Sequence, residues 1–322
     1  MRPDIATTHV ETNGVRLSVA VEGEGPLVIL VHGWPELWYS WRHQIPALAA
    51  AGYRVAAPDV RGYGGSDKPR AVEAYDMRTL TADVAGLIDA LGEEQAVLVG
   101  HDWGAPICWH TALLHPERVR AVAGLSVPFF PRGPMPPTQM YRALYGERFF
   151  YQLYFQEEDV AEAELEADVR TALRKIYYGA SGDAEGPPLE GGDTAPRVGM
   201  LDGRVDPDPF PGWMSEEDLD YFVAAFEQGG FRGPINRYRC MDRDWEDLSE
   251  LAGAKIHQPS FFVAGSRDLV RRLIPGTDLY ADPGTHCTDF RGKVIVEGKG
   301  HWIQQEAPRE VTEGLLGFLG GL

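Results

Sequence analysis

Val97-Leu98-Val99-Gly100-His101-Asp102-Trp103-Gly104-Ala105 is the stretch that decides how this chain is read. An apolar, strand-like run enters a turn of small residues, and a helical pattern leaves it at about Gly104. Small residues at 100, 104 and 105 let the backbone and its neighbours approach closely. Asp102 is thus placed at a strained strand–turn–helix elbow of the kind that presents a nucleophile, with helix amides behind it that favour a carboxylate. An aspartate at a strand–helix joint is also a common N-cap, and this motif alone leaves both readings open.

The segments around the elbow alternate between strand and helix. Upstream, Val15–Val21 reads as an edge strand, and Leu27–Val31 is a short, wholly apolar run suited to a strand buried on both faces. A helical pattern spans Trp38–Ala51 and Tyr53–Ala57 reads as strand. Leu80, Val84, Leu87, Ile88 and Leu91 give Thr79–Leu91 a helical spacing. Downstream of the elbow come a helix to about His115 and a strand at Val119–Ser126. The alternation resumes at Pro259–Ala264 (strand), Val294–Val296 (strand) and Ala307–Leu319 (helix). Such alternation predicts an α/β protein with a mostly parallel central sheet and helices on both faces.

Between Pro128 and about Ala254 no strand run is evident. Residues 179–212 hold 8 Gly and 6 Pro, a composition for an irregular loop. The simplest organisation is a core domain of residues 1–127 and 255–322, interrupted by a mainly helical lid of residues 128–254. The acidic run Glu157, Glu158, Asp159, Glu162, Glu164, Glu166, Asp168 reads as a solvated helix face rather than a cation site.

Composition narrows the function classes. The 322 residues carry 30 Lys and Arg against 48 Asp and Glu, a net charge of −18. That balance excludes partners such as nucleic acid or anionic membrane surfaces. The longest apolar stretch, near Val119–Phe130, is too short to span a bilayer. The N-terminal Met1-Arg2-Pro3-Asp4 starts no apolar signal segment, so a cytoplasmic location is expected. Cys108, Cys240 and Cys287 are scattered, which predicts buried, reduced thiols rather than disulfides or a zinc site.

Three further segments bear chemistry. His32-Gly33-Trp34-Pro35 follows the buried strand Leu27–Val31, and its glycine frees the chain to aim the Trp34 N–H at a developing oxyanion. An ordinary loop with a buried histidine is the alternative. Gly298-Lys299-Gly300-His301-Trp302 follows Val294–Val296, and its glycines let the imidazole swing over the strand ends. His286, the nearest rival among nine histidines, adjoins no strand. Gly265-Ser266-Arg267-Asp268 places an acid after Pro259–Ala264, where it is either a turn residue or the group that orients a histidine. No carboxylate follows the strand ending at Ser126. Together these give nucleophile, acid and histidine in chain order at strand C-terminal ends, where open α/β sheets carry their sites.

The chain resembles the soluble epoxide hydrolase family of the α/β-hydrolase fold. The resemblance runs from His32-Gly33-Trp34-Pro35 through Arg61-Gly62-Tyr63-Gly64-Gly65-Ser66 and the Asp102 elbow to Gly300-His301-Trp302. It includes the lid segments Phe150-Tyr151-Gln152-Leu153-Tyr154-Phe155-Gln156 and Asn236-Arg237-Tyr238-Arg239. It implies a lid inserted after the sixth strand and a lid tyrosine in each segment, falling on Tyr151 and Tyr238, with Tyr154 the rival to the first. It also implies substrate contacts from His32, Gly33, Pro35, Trp103, Phe155 and Trp302.

An aspartate nucleophile selects the chemistry. A serine attacking sp³ carbon would leave an ether that water does not readily cleave, whereas a carboxylate leaves a hydrolysable ester. The expected substrates are therefore epoxides or alkyl halides. On the epoxide reading, Asp102 opens the ring while Tyr151 and Tyr238 protonate its oxygen. His301, oriented by Asp268, then activates water, and the N–H groups of Trp34 and Trp103 hold the oxyanion. No metal or organic cofactor is expected, and the partner is a small apolar epoxide bound by a monomer or homodimer. A haloalkane dehalogenase using Asp102, His301 and Asp268 is the alternative, and a non-catalytic ligand-binding protein on the same fold is another. The tyrosine pair favours the epoxide, because a leaving alkoxide needs a proton and a halide does not.

Overall fold

Leu27–Val31 is five apolar residues in a row, and all five are buried. Val28 and Leu30 join one apolar cluster, while Leu27, Ile29 and Val31 join another on the opposite face. A strand with its alternating side chains covered on both faces is stabilised by about 1.5–3 kcal/mol for each such residue buried. The same holds for the strand Ala96–His101, which is buried throughout.

The computed structural model describes residues 5–185 and 199–322. Eight strands form one sheet: β1 (Thr7–Thr12), β2 (Val15–Glu22), β3 (Leu27–Val31), β4 (Arg54–Pro58), β5 (Ala96–His101), β6 (Val119–Leu125), β7 (Ser260–Gly265) and β8 (Phe290–Val296). Their order is β1-β2-β4-β3-β5-β6-β7-β8. β2 runs antiparallel to both β1 and β4, and every other neighbouring pair is parallel. This is the mostly parallel α/β sheet of the α/β-hydrolase fold. The loops that leave β3, β5, β7 and β8 emerge at one edge, which gathers the predicted site.

β6 and β7 pair directly, Val122 beside Ser260, although the lid separates them in sequence. Among the described residues that intervening stretch forms helices, including Pro137–Tyr145, Tyr151–Tyr154, Val169–Ala180, Glu216–Gly229 and Arg232–Arg239, and no strand. Of the glycine- and proline-rich loop, residues 186–198 lie outside the described residues, as do residues 1–4. No helix among the described residues is long and apolar enough to cross a membrane.

Several sequence expectations need adjustment. Val15–Val21 is not the edge strand, because β1 pairs along its length from Thr7 to Thr12. β1 is largely exposed and polar, so it carries no hydrophobic pattern to read. The helix expected over Trp38–Ala51 is two pieces, a 3-10 turn at Trp38–Trp41 and a helix at Gln44–Ala50. Pro46 is tolerated only in a first helical turn, which confines the second piece to a start near Gln44. The next helix begins at Met77, not Thr79, because Asp76 caps it by accepting the Thr79 N–H at 2.8 Å.

The acidic lid run is only partly a solvated face. Glu162 is buried and paired with Arg239, and Glu164 accepts the N–H groups of Met200 and Leu201. Cys108 and Cys240 are buried free thiols, but Cys287 is only half-buried.

Candidate active site

The elbow is built by close approach. A side-chain carbon on Gly104 would lie 2.0 Å from the Val31 carbonyl oxygen, and one on Gly33 would lie 2.4 Å from Cβ of Asp102. Only glycine lets β5, its helix and the β3 loop meet here. Asp102 itself takes φ +48°, a left-handed conformation that is costly for a non-glycine residue and that turns its carboxylate out of the bend. The helix Gly104–Leu114 starts directly behind it.

Both carboxylate oxygens of Asp102 are oriented. Oδ1 accepts the Trp34 N–H at 2.8 Å, and Oδ2 lies 3.3 Å from Nε2 of His301. On the other side of the ring, Nδ1 of His301 donates to Oδ1 of Asp268 at 3.0 Å. Asp268 is fully buried and also accepts the Val270 N–H at 2.9 Å. Burial alone would pull the His301 imidazole down. The charge of Asp268 and hydrogen bonds with Asp102 and Asp268 outweigh it, and the ring sits well above its ordinary range. Burial pushes Asp268 up, yet the charge of His301 and their hydrogen bond hold it below the usual carboxylate value. His286 lies elsewhere, its ring 6.4 Å from that of Phe129.

The lid brings Tyr151 and Tyr238 together, with ring centroids 5.8 Å apart. Burial raises both hydroxyls well above their ordinary range, and the charge of Asp102 adds to this. Tyr154 points to other work, since its hydroxyl donates to Oε2 of Glu164 at 3.0 Å. A cavity of about 380 Å³ is lined by Asp102, Trp103, Tyr151 and apolar residues such as Met77, Phe129 and Met140. Among the described residues no cluster of His, Cys, Asp or Glu is arranged to hold a metal ion.

Some expected substrate contacts have different roles. His32 is buried with both ring nitrogens committed: Nδ1 donates to the Gly33 carbonyl and Nε2 accepts the Val60 N–H, each at 2.9 Å. It clamps the loop rather than meeting a ligand. Pro35 gives its carbonyl oxygen to the Tyr177 hydroxyl at 2.7 Å, fastening the loop to the lid. Phe155 is fully buried between Trp34 and Tyr238, and Trp302 is buried against His301 and Tyr177. Phe155 backs Tyr151, which lines the cavity, and Trp302 supports the His301 ring. Trp103 lines the cavity, with the Arg237 guanidinium 4.8 Å from its ring centre.

The sequence reading missed a buried polar network beneath the triad. Glu36, fully buried, accepts from Nδ1 of His101 at 2.6 Å and from the side-chain amides of Gln304 and Gln305. Nε2 of His101 donates to the His301 carbonyl at 2.7 Å, so both ring nitrogens face acceptors. Burial would raise Glu36, but the charge of His101 and the hydrogen bonds pull it down to about 2. The polar trio Gln304-Gln305-Glu306 that completes the short, buried helix Ile303–Glu306 was the available signal.

An elbow-borne carboxylate, a histidine and an acid at the ends of parallel strands, under a helical insertion, define an α/β-hydrolase-fold enzyme. The family described as alpha/beta hydrolase fold matches residues 26–308. The chain is 50% identical to epoxide hydrolase A of Mycobacterium tuberculosis, over 97% of each, and 42% identical to epoxide hydrolase B of the same organism, over 93% of this chain and 92% of the other. Among solved structures, epoxide hydrolase A of Mycobacterium thermoresistibile superposes with a TM-score of 0.90 at 47% identity over 99% of each chain. An epoxide hydrolase from an endophytic Streptomyces gives a TM-score of 0.92 at 46% identity over 98% of this chain and 96% of that one. The chain belongs to the epoxide hydrolase family of the α/β-hydrolase fold.

Proposed function

We propose that the protein adds water to a small apolar epoxide to give a vicinal diol, through a covalent ester on Asp102. The observation that carries this reading is the division of labour between the two oxygens of Asp102. Oδ1 is held by the Trp34 N–H, which leaves Oδ2 to attack carbon. As the Oδ2–C bond forms and the ring C–O bond breaks, Tyr151 and Tyr238 hydrogen-bond the oxygen and supply its proton. His301 then takes a proton from water, whose oxygen attacks the carboxyl carbon. Charge collects on Oδ1, where the N–H groups of Trp34 and Trp103 receive it. Collapse breaks the ester C–O bond, the leaving oxygen takes its proton from His301, and the diol departs with Asp102 restored. Asp268 holds the ring of His301 in place and stabilises its charged form. The domain division at residues 127/128 and 254/255 fits this scheme, with Tyr151 and Tyr238 in the lid and the triad in the core.

One observation bears on the dehalogenase alternative. The indole N–H of Trp34 is buried without an acceptor, as a halide-binding donor would be. It is packed against Phe155 and Tyr238, however, and the tyrosine pair has no use with a halide leaving group. A single turnover in ¹⁸O-water with a styrene-oxide-type epoxide should yield diol and place label in the Asp102 carboxylate. Release of halide from alkyl halides with no diol from any epoxide would overturn the reading. Tight ligand binding with neither reaction would turn it toward the binding protein.

A further inference from the structure

Gln152 follows Tyr151 in the short helix Tyr151–Tyr154 and has no part in the scheme above. Its side chain is buried, yet it lines the same cavity as Tyr151 and Asp102. Its Nε2 donates to the Tyr151 hydroxyl oxygen at 2.9 Å. Its Oε1 is buried with no hydrogen-bond partner. The reverse amide orientation would bury an NH₂ group with neither proton accepted, whereas the observed one orphans a single carbonyl oxygen, the more tolerable of the two. The backbone around it is fixed as well. Nε2 of Gln156 donates to the carbonyl oxygens of both Gln152 and Tyr238, at 2.8 and 3.1 Å, and so ties the two tyrosine-bearing helices together.

This arrangement has two chemical consequences. A hydroxyl that accepts from Gln152 cannot also park its proton on that amide nitrogen, so the Tyr151 proton is left to be aimed at a ligand. A fixed N–H on the oxygen also stabilises the phenolate that remains after the proton leaves. Burial and the charge of Asp102 both oppose ionisation of Tyr151, and the contact with Gln152 works against them.

We propose that Gln152 is a positioning residue for ring opening, acting through Tyr151 by orienting its proton toward the epoxide oxygen and stabilising the phenolate it leaves. The proposal rests on the epoxide reading above. In the step itself, the Asp102 Oδ2–C bond forms, the epoxide C–O bond breaks, and the Tyr151 proton passes to the departing oxygen. The phenolate is held by the Gln152 N–H. Of the two protons of the attacking water, one passes through His301 to the diol oxygen that leaves Asp102 and the other replaces the one Tyr151 gave, so the cycle closes with one water consumed.

The test is single-turnover kinetics that resolve formation of the alkyl-enzyme from its hydrolysis. Gln152→Leu should slow formation roughly tenfold, the scale of one lost hydrogen bond in the transition state, and leave hydrolysis unchanged. In a Tyr151→Phe background the same substitution should have no further effect on formation, since its route is gone. Gln152→Glu, which keeps the shape, should add a new ionisation to the pH profile of formation. Opening should be slow where the introduced carboxyl is ionised, because it then competes for the Tyr151 proton. Opening should recover at lower pH, where the carboxyl can donate. A purely structural role would move neither the profile nor the cycle. An unchanged or faster opening step in Gln152→Leu, an equal loss in the Tyr151→Phe background, or no new ionisation in Gln152→Glu would overturn the proposal. Should Gln152→Leu fail to fold, the Gln152→Glu profile decides. Failure of the unsubstituted protein to form diol from any epoxide would instead overturn the reading on which the proposal stands.

Discussion

The backbone N–H of His301 donates to the carbonyl oxygen of Ala180 at 2.8 Å, which ties the loop bearing the histidine to the end of a lid helix. Glu306 closes the same junction. Its Oε2 accepts the N–H groups of Gly182 in the lid and Gly300 in the loop, at 2.8 and 2.9 Å, and its Oε1 accepts that of Trp302 at 3.1 Å. Removing this buried carboxylate orphans three N–H groups. Glu306→Ala should therefore cost roughly 3 kcal/mol or more in denaturant unfolding. Glu306→Gln should be milder in stability but should slow hydrolysis of the intermediate more than its formation, because it loosens the loop of His301 and leaves Asp102 and the tyrosines in place. Equal slowing of both half-reactions would count against that role.

Asp102 and His301 separate the two halves of the reaction. Asp102→Ala should abolish turnover, with a loss of several orders of magnitude. His301→Gln should still be alkylated, and mass spectrometry of the intact protein should find it heavier by one substrate. Absence of that adduct, with the fold intact, would rule out the two-step scheme.

The tyrosines differ in what their hydroxyls are free to do. Tyr151→Phe and Tyr238→Phe should each slow ring opening by about 10²-fold, the lower range for a lost general acid, and the double substitution should eliminate it. Tyr154→Phe should leave the opening rate within about twofold, because its hydroxyl is bonded to Glu164 at 3.0 Å. A larger effect at 154 than at 151 would reverse the assignment.

The elbow was legible because its constraints are local. Gly100, Gly104 and Asp102 lie within five positions, and β3 announces itself as five consecutive apolar residues. The order of Asp102, Asp268 and His301 was legible because each follows an apolar strand. What sequence did not show was decided by pairing across the chain. β1 is specified by its ladder with β2 rather than by apolar pattern. His32 looks like a ligand-facing residue until the Val60 N–H is found on its ring. Glu36, His101 and Gln305 are far apart in sequence and acquire meaning only as mutual partners in a dry interior.

That buried group makes its own prediction. Glu36 and His101 are both fully buried and 2.6 Å apart. Breaking a buried pair from one side leaves the other partner uncompensated, which typically costs 3–5 kcal/mol. Glu36→Gln should lower the unfolding free energy by about 3 kcal/mol. Because folding holds Glu36 at about 2, its contribution is present above its ordinary value of 4.5 and fades as pH falls toward 2. Glu36→Gln should thus unfold less steeply in acid than the unsubstituted protein, as followed by circular dichroism.

The base itself should show opposite signs in stability and in rate. Folding holds His301 well above its unfolded value of 6.5, so its ionic contribution is complete below 6.5 and is lost as pH rises through the higher folded value. Relative to His301→Gln, the unsubstituted protein should lose denaturant stability as pH is raised well above 6.5. The rate of ester hydrolysis should move the other way, since only the neutral imidazole can take a proton from water. Alkylation of Asp102 converts one of the two carboxylates beside the ring into a neutral ester. The imidazole in the intermediate therefore binds its proton less tightly than in the free protein, while Asp268 still holds the ring from the other side. Single-turnover hydrolysis should accordingly rise with pH through an apparent pKa below the one that governs stability. An identical pKa in both measurements would mean that the charge of Asp102 does not reach His301, despite the 3.3 Å that separates them.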